Sequence, residues 1–185
     1  MNIQEAKTKL LAIIKRDAYF REKITLSSGK ESDYYIDARL VTLNPQAVEL
    51  IAAIMLDIVK DDKLDAIGGP TLGADPMIGA IGVLGNQQQK KFTTFIIRKE
   101  AKQHGKQRQI EGPPLKEGAR VVIIDDVATT GKAFVMSLDV LKEMKVNVVK
   151  AICIVDRDEG AKEAIAQKGC PLVSIYKASD IHTPS

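Results

Sequence analysis

Two adjacent carboxylates, Asp125 and Asp126, follow four β-branched apolar residues, Val121, Val122, Ile123 and Ile124. Such a run suits a strand buried on both faces. After the acids come Val127, Ala128, Thr129, Thr130 and Gly131, and then Lys132 and Ala133 open a helical pattern with Phe134, Leu138 and Leu141 on one stripe. A strand, a tight loop and a helix in this order leave backbone N–H groups unpaired at the helix start. Those groups and the helix dipole together attract a phosphate. Thr129 and Thr130 add hydroxyl donors, and Gly131 lets the chain approach an anion closely. The aspartates sit just ahead of this cradle, placed to accept hydrogen bonds from sugar hydroxyls. The rival reading is a strand ending in two solvated aspartates and an ordinary N-cap. The full order of strand, acid pair, hydroxyl loop and helix favours a phosphorylated ribose.

Three further stretches carry chemistry. Leu64-Asp65-Ala66-Ile67 reads as a short strand, residues 68–76 as a glycine-rich loop, and residues 77–84 as a helix. That layout makes a second anion cradle, a weak signal alone and a stronger one beside the first. Between residues 98 and 117, Arg98, Lys99, Lys102, His104, Lys106 and Arg108 crowd a polar stretch without clear periodicity. It is either a disordered surface loop or a lid. Cations neighbouring two phosphate cradles favour the lid, whose lysines would neutralise a leaving pyrophosphate. Arg157 ends another apolar run, residues 148–155. There its guanidinium can grip a carboxylate with two parallel bonds, or simply pair with Asp156, Asp158 or Glu159.

The elements that position these residues alternate between strand and helix, which implies an α/β fold with a mostly parallel sheet flanked by helices. Residues 3–16 read as an amphipathic helix, and residues 23–37 as two antiparallel strands around a Ser/Gly turn. Asn44 suits an N-cap with Pro45 at the first helical position of a helix through about Val59. A last helix, about residues 161–168, and a strand over 172–176 complete the chain. His182, near a polar terminus, is assigned no role.

The chain has 185 residues, with 45% hydrophobic, 28% charged and a net charge of +3, enough for one substantial domain. Aromatics are 4% with no Trp, which argues against stacking platforms for nucleic acid. The two cysteines, Cys153 and Cys170, show neither metal spacing nor a disulfide framework, in keeping with a reducing cytoplasm. No signal-peptide layout or membrane-length apolar run is visible.

Residues 121–133 resemble the 5-phosphoribosyl 1-diphosphate (PRPP) motif of type I phosphoribosyltransferases. Arg98-Lys99-Glu100-Ala101-Lys102-Gln103-His104-Gly105, with Gln109-Ile110-Glu111-Gly112, resembles the loop signature of the orotate phosphoribosyltransferases. The Ser-Gly turn ahead of Tyr34-Tyr35 and the segment Asp156-Arg157-Asp158-Glu159-Gly160 look like that family too. Two positions depart from it. A lysine common two residues before Gly29 is Ser27 here, with Lys30 nearby, and a lysine found in some members' second loop is replaced by Leu72-Gly73.

The resemblance implies a type I phosphoribosyltransferase fold in one domain, residues 1–185, with a small N-terminal hood over about residues 1–40 and a mobile lid over about 99–117. It implies transfer of the phosphoribosyl group from PRPP to orotate, giving orotidine 5′-phosphate and pyrophosphate in pyrimidine nucleotide synthesis. Lys102 would be catalytic. PRPP contacts would come from Arg98, Lys99, Lys102 and His104 and from Asp125, Asp126, Val127, Ala128, Thr129, Thr130, Gly131, Lys132 and Ala133. Thr129 and Arg157 would hold orotate. Mg²⁺ would bind through substrate oxygens and water with no protein cage, the enzyme would be a cytoplasmic homodimer sharing its lid across subunits, and neither nucleic acid nor membrane would be a partner. The alternatives are a phosphoribosyltransferase for another base, such as a purine, and a nucleotide-sensing RNA-binding regulator on the same fold.

Overall fold

A computed structural model of the chain describes residues 2–25, 31–100 and 109–182. Helix α1 (Ile3–Ile13) runs on into a π-helical turn (Ile14–Ala18). Four short strands follow, β1 (Tyr19–Phe20), β2 (Ile24–Thr25), β3 (Glu31–Ser32) and β4 (Tyr35–Ile36), then helices α2 (Arg39–Thr42) and α3 (Pro45–Ile58). Next come β5 (Ala66–Pro70), α4 (Asp75–Gln87), β6 (Thr93–Ile97), β7 (Ile110–Glu111), β8 (Arg120–Ala128) and α5 (Lys132–Glu143). The chain closes with β9 (Asn147–Asp156), α6 (Ala161–Ala166), β10 (Leu172–Lys177) and α7 (Ala178–Ile181).

The six-stranded sheet has the order β10-β9-β8-β5-β6-β7. Its first five strands pair in parallel and β7 lies antiparallel on the edge. The apolar run of β8 has no polar face because helices cover both sides. Val122 and Ile124 join a core with Leu10 of α1, Ile51 and Ile54 of α3, and Met77 and Ile81 of α4. Val121 and Ile123 point the other way, onto Phe134, Leu138 and Leu141 of α5 and Ile165 of α6. Each fully buried aliphatic side chain contributes about 1.5–3 kcal/mol over exposure, so these two cores, more than helix propensity, dock the helices.

The N-terminal strands form nested antiparallel pairs, β1 with β4 around β2 with β3. The Asn44 side chain caps α3 by accepting from the N–H groups of Gln46 at 2.9 Å and Ala47 at 3.2 Å. Pro45 fills the first helical position, as its missing N–H allows.

Among the boundaries that differ from the sequence reading, three bear on the strands of the central sheet. Strand β5 runs to Pro70, so Gly68 and Gly69 are strand residues and the loop is only residues 71–74. Side chains there would run into Phe95 and Ile124 of the flanking strands, so these glycines answer a packing demand and not a turn. Strand β8 continues through Asp125 and Asp126 to Ala128, paired with β9 up to Asp156, which shortens that loop to residues 129–131. Ile110 and Glu111, read as part of an aperiodic stretch, form β7 against Ile97 and Ile96. Two residues are too few to show an alternation.

Candidate active site

From β5 the chain proceeds to β6 and β7, and from β8 to β9 and β10, although β5 and β8 are neighbours. Such a reversal of strand order opens a crevice beyond the carboxyl ends of the two strands, where open α/β sheets bind ligands. Both amide-rich turns lie there, residues 71–74 after β5 and 129–131 after β8. A Cβ built on Gly73 would fall 2.8 Å from Oδ1 of Asp125 and 2.8 Å from Oδ1 of Asp126, so the first turn rests on the acid pair. The other parallel strands deliver their ends to the same edge. Arg98 and Lys99 follow β6, and Arg157 follows β9, its N–H donating to the Ala128 carbonyl at 2.9 Å.

Neither helix entering this crevice has a side-chain cap. The first-turn N–H groups of α5 are therefore open to an anion, whereas in α4 the Asp75 N–H donates to the Leu72 carbonyl at 3.3 Å and Pro76 has none to offer. Gly131 precedes α5 with φ 77° and ψ 6°, the left-handed region, and a side chain there would also meet the Ala161 backbone at 3.1 Å. In the first turn Thr71 Oγ1 donates to Asp75 Oδ2 at 2.7 Å.

Ionisation of the acid pair is costly. Asp125 Oδ1 accepts from the Asp126 N–H at 2.9 Å, and Asp126 Oδ1 from the Val127 N–H at 2.7 Å. Burial, followed by the charge of Asp126, pushes the Asp125 carboxyl well above the usual carboxylate range. Burial also raises Asp126. Among the opposing effects are the cations Lys99, acting on Asp125, and Arg39, acting on Asp126. A site like this is completed by hydroxyl donors or a cation. Among the described residues no group of three or more His, Cys, Asp or Glu could hold a metal ion. Two hard carboxylates beside amide-rich turns do fit Mg²⁺ held mainly by ligand oxygens. The Cys153 thiol, though near these acids, is shifted upward by burial first and is a buried core group.

Arg157 is 8% exposed. Its Nε donates to Glu159 Oε1 at 2.8 Å and its Nη2 to Ser32 Oγ at 3.3 Å, while Cζ lies 4.6 Å from the centroid of the Tyr34 ring. The local ion pair expected as a rival is therefore present, but it uses Nε and leaves Nη1 unengaged by these contacts. Thr129 is adjacent through the Arg157–Ala128 bond. Sequence reasoning missed Ser32, Tyr34 and Arg39 as site residues. The aromatic pair Tyr34-Tyr35 was the one local signal.

His182, given no role from the sequence, makes specific contacts in the fold. Its ring stacks on Tyr34, with centroids 4.4 Å apart and planes 14° apart, and its Nδ1 is 2.8 Å from the Tyr19 hydroxyl. Ser27 and Lys30, and Lys102 and His104, lie outside the described residues. Among the described residues no helix is long and apolar enough to cross a membrane.

The family model for the phosphoribosyl transferase domain matches residues 41–179. The orotate phosphoribosyltransferase of Corynebacterium glutamicum (strain R) is 42% identical over 177 residues, covering 96% of this chain and 94% of that protein. The orotate phosphoribosyltransferase of Bradyrhizobium diazoefficiens is 37% identical over 183 residues, covering 97% of this chain and 98% of that one. The crystal structure of Mycobacterium tuberculosis H37Rv orotate phosphoribosyltransferase in complex with PRPP matches with a TM-score of 0.79 at 31% identity, over 95% of this chain and 98% of that one.

Proposed function

Because the chain belongs to the phosphoribosyltransferase family, among its orotate phosphoribosyltransferases, we propose that it transfers the phosphoribosyl group of PRPP to orotate, releasing pyrophosphate and forming orotidine 5′-phosphate. One observation carries the reading. The turn after β5 rests on the acid pair of β8, with Gly73 against Asp125 and Asp126 just ahead of the second turn, which is close enough for one sugar with phosphates at both ends to span both turns.

Breaking the C1–pyrophosphate bond leaves positive character on the ribose ring, as in glycoside cleavage. The orotate ring nitrogen supplies the electron pair to C1, so no side-chain nucleophile is required. The protein holds both reactants in line and stabilises the leaving group. Residues 129–133 take the 5′-phosphate through backbone N–H groups and the hydroxyls of Thr129 and Thr130, with Val127, Ala128 and Lys132 flanking it. Asp125 and Asp126 accept from the ribose hydroxyls. Thr129 and Arg157 orient orotate, the guanidinium taking its carboxylate through the edge that Glu159 does not occupy. Arg98, Lys99 and His104 contact PRPP, and Lys102 supplies positive charge to the departing pyrophosphate. Asp125 and Asp126 would hold Mg²⁺ largely through water and substrate oxygens, and the ion would supply charge neutralisation for the leaving group.

The nested N-terminal strands form a hood over the site, residues 99–117 form a lid, and the enzyme works as a cytoplasmic homodimer whose lid reaches the neighbouring subunit. The test is an absorbance assay with purified protein, Mg²⁺ and PRPP, offering orotate and then adenine, guanine and hypoxanthine. Loss of orotate absorbance with equimolar pyrophosphate release is expected. Turnover of a purine without turnover of orotate overturns the assignment.

A further inference from the structure

We propose that His182 is a positioning residue for base binding, holding Tyr34 and through Tyr34 the Arg157 guanidinium; the inference rests on the orotate reading above. The imidazole stacks on the Tyr34 ring at 4.4 Å, and Arg157 Cζ lies 4.6 Å from that same ring's centroid. Tyr34 is thus shared between the residue just past α7 and the cation at the end of β9. These contacts join parts of the chain far apart in sequence: the N-terminal strands, the end of β9 and the residue after α7.

The imidazole is fixed on its other sides as well. The His182 N–H donates to the Ala178 carbonyl at 2.8 Å, which anchors the residue to α7. Ala178 and Ile181 of that helix are themselves buried. Nδ1 faces the Tyr19 hydroxyl at 2.8 Å, and that oxygen accepts from Arg21 Nε at 3.3 Å. On the ring's other side Nε2 faces Asp33 Oδ2 at 3.8 Å. Tyr19 also lies against Tyr34, with ring centroids 6.1 Å apart. A planar ring held this way restricts Tyr34, and a restricted Tyr34 face fixes a guanidinium that is also tied by Glu159 and Ser32.

His182 contacts Tyr19, Asp33 and Tyr34 and none of residues 129–131, so its effect falls on the base and not on PRPP. The experiment is steady-state kinetics on His182→Ala, His182→Phe and Tyr19→Phe with orotate and PRPP varied separately. His182→Ala is expected to raise the KM for orotate about 3- to 10-fold, with kcat and the KM for PRPP within twofold. His182→Phe keeps a flat ring on Tyr34 and is expected to recover most of that loss. Tyr19→Phe, which frees the imidazole without altering it, is expected to raise the orotate KM about 2-fold and keeps the idea testable should His182→Ala not fold. Unchanged orotate KM in both His182→Ala and Tyr19→Phe, equal rises for both substrates, or a His182→Phe enzyme as impaired as His182→Ala overturns the proposal. An unaltered protein that does not turn over orotate overturns the orotate reading itself, and this proposal with it; normal turnover with no split in KM overturns this proposal alone.

Discussion

Gly73 and Asp126 meet where β5 and β8 end, with room for a hydrogen and nothing larger: a Cβ would stand 2.8 Å from Asp126 Oδ1 and 2.9 Å from its Cγ. The contact sets the first turn against the acid pair of β8, just ahead of the second turn, and the proposed diphosphorylated sugar would bridge the two turns. Gly73→Ala has to push either the turn or the acids aside. A loss in kcat/KM for PRPP of about 10- to 100-fold is expected, equal to about 1.4–2.8 kcal/mol, with the melting temperature lowered less than a core truncation would lower it. Kinetics at varied PRPP check this, and near-normal kcat/KM would show that the turns adapt freely.

The acid pair predicts a trade between stability and activity. Burial raises the carboxyls of Asp125 and Asp126 in the folded chain. A raised folded-state value means the favourable contribution is complete below the ordinary carboxylate value of about 4 and is lost as pH rises through the folded-state value. Asp125→Asn removes the ionisation, so its melting temperature should exceed that of the unaltered ligand-free protein by an amount that grows between pH 4 and pH 7. Each kcal/mol corresponds to about 2–4 °C at this chain length. Turnover should fall in the same variant. Scanning calorimetry across that pH range is the check, and a constant or negative difference would contradict it.

Arg157→Ala is expected to raise the KM for orotate by about 10-fold or more while that for PRPP stays within twofold, since truncating one partner of a buried charge pair is costly. Arg157→Lys should restore little, because an ammonium cannot serve Glu159, Ser32 and a carboxylate in one plane. Parallel rises in both constants would make Arg157 structural, an anchor for Glu159 and the hood.

Lys102→Ala should lower kcat by about 100-fold or more with PRPP binding changed little, as expected for charge supplied mainly in the transition state. Single-turnover kinetics with a direct PRPP binding measurement separate the two effects. Equal losses would mean the lysine serves binding alone.

The sequence by itself determined the alternation of strands and helices, because hydrophobic period is local: Val121 to Ile124 could only be a strand covered on both faces, and Asn44-Pro45 could only start a helix. It also marked residues 129–133 and Arg157, since a phosphate cradle and a strand-end guanidinium are written in contiguous residues. The tertiary structure decided which strand ends are neighbours. The order that places β5 beside β8 is fixed by two cores summed over the whole chain, and no window of sequence contains that sum. For the same reason the glycines of β5 looked like a loop until their neighbours were known. His182 looked idle because the side chains its ring meets are 148 or more positions away along the chain, Tyr34 at 4.4 Å among them, and contact across such a separation leaves no pattern in the letters.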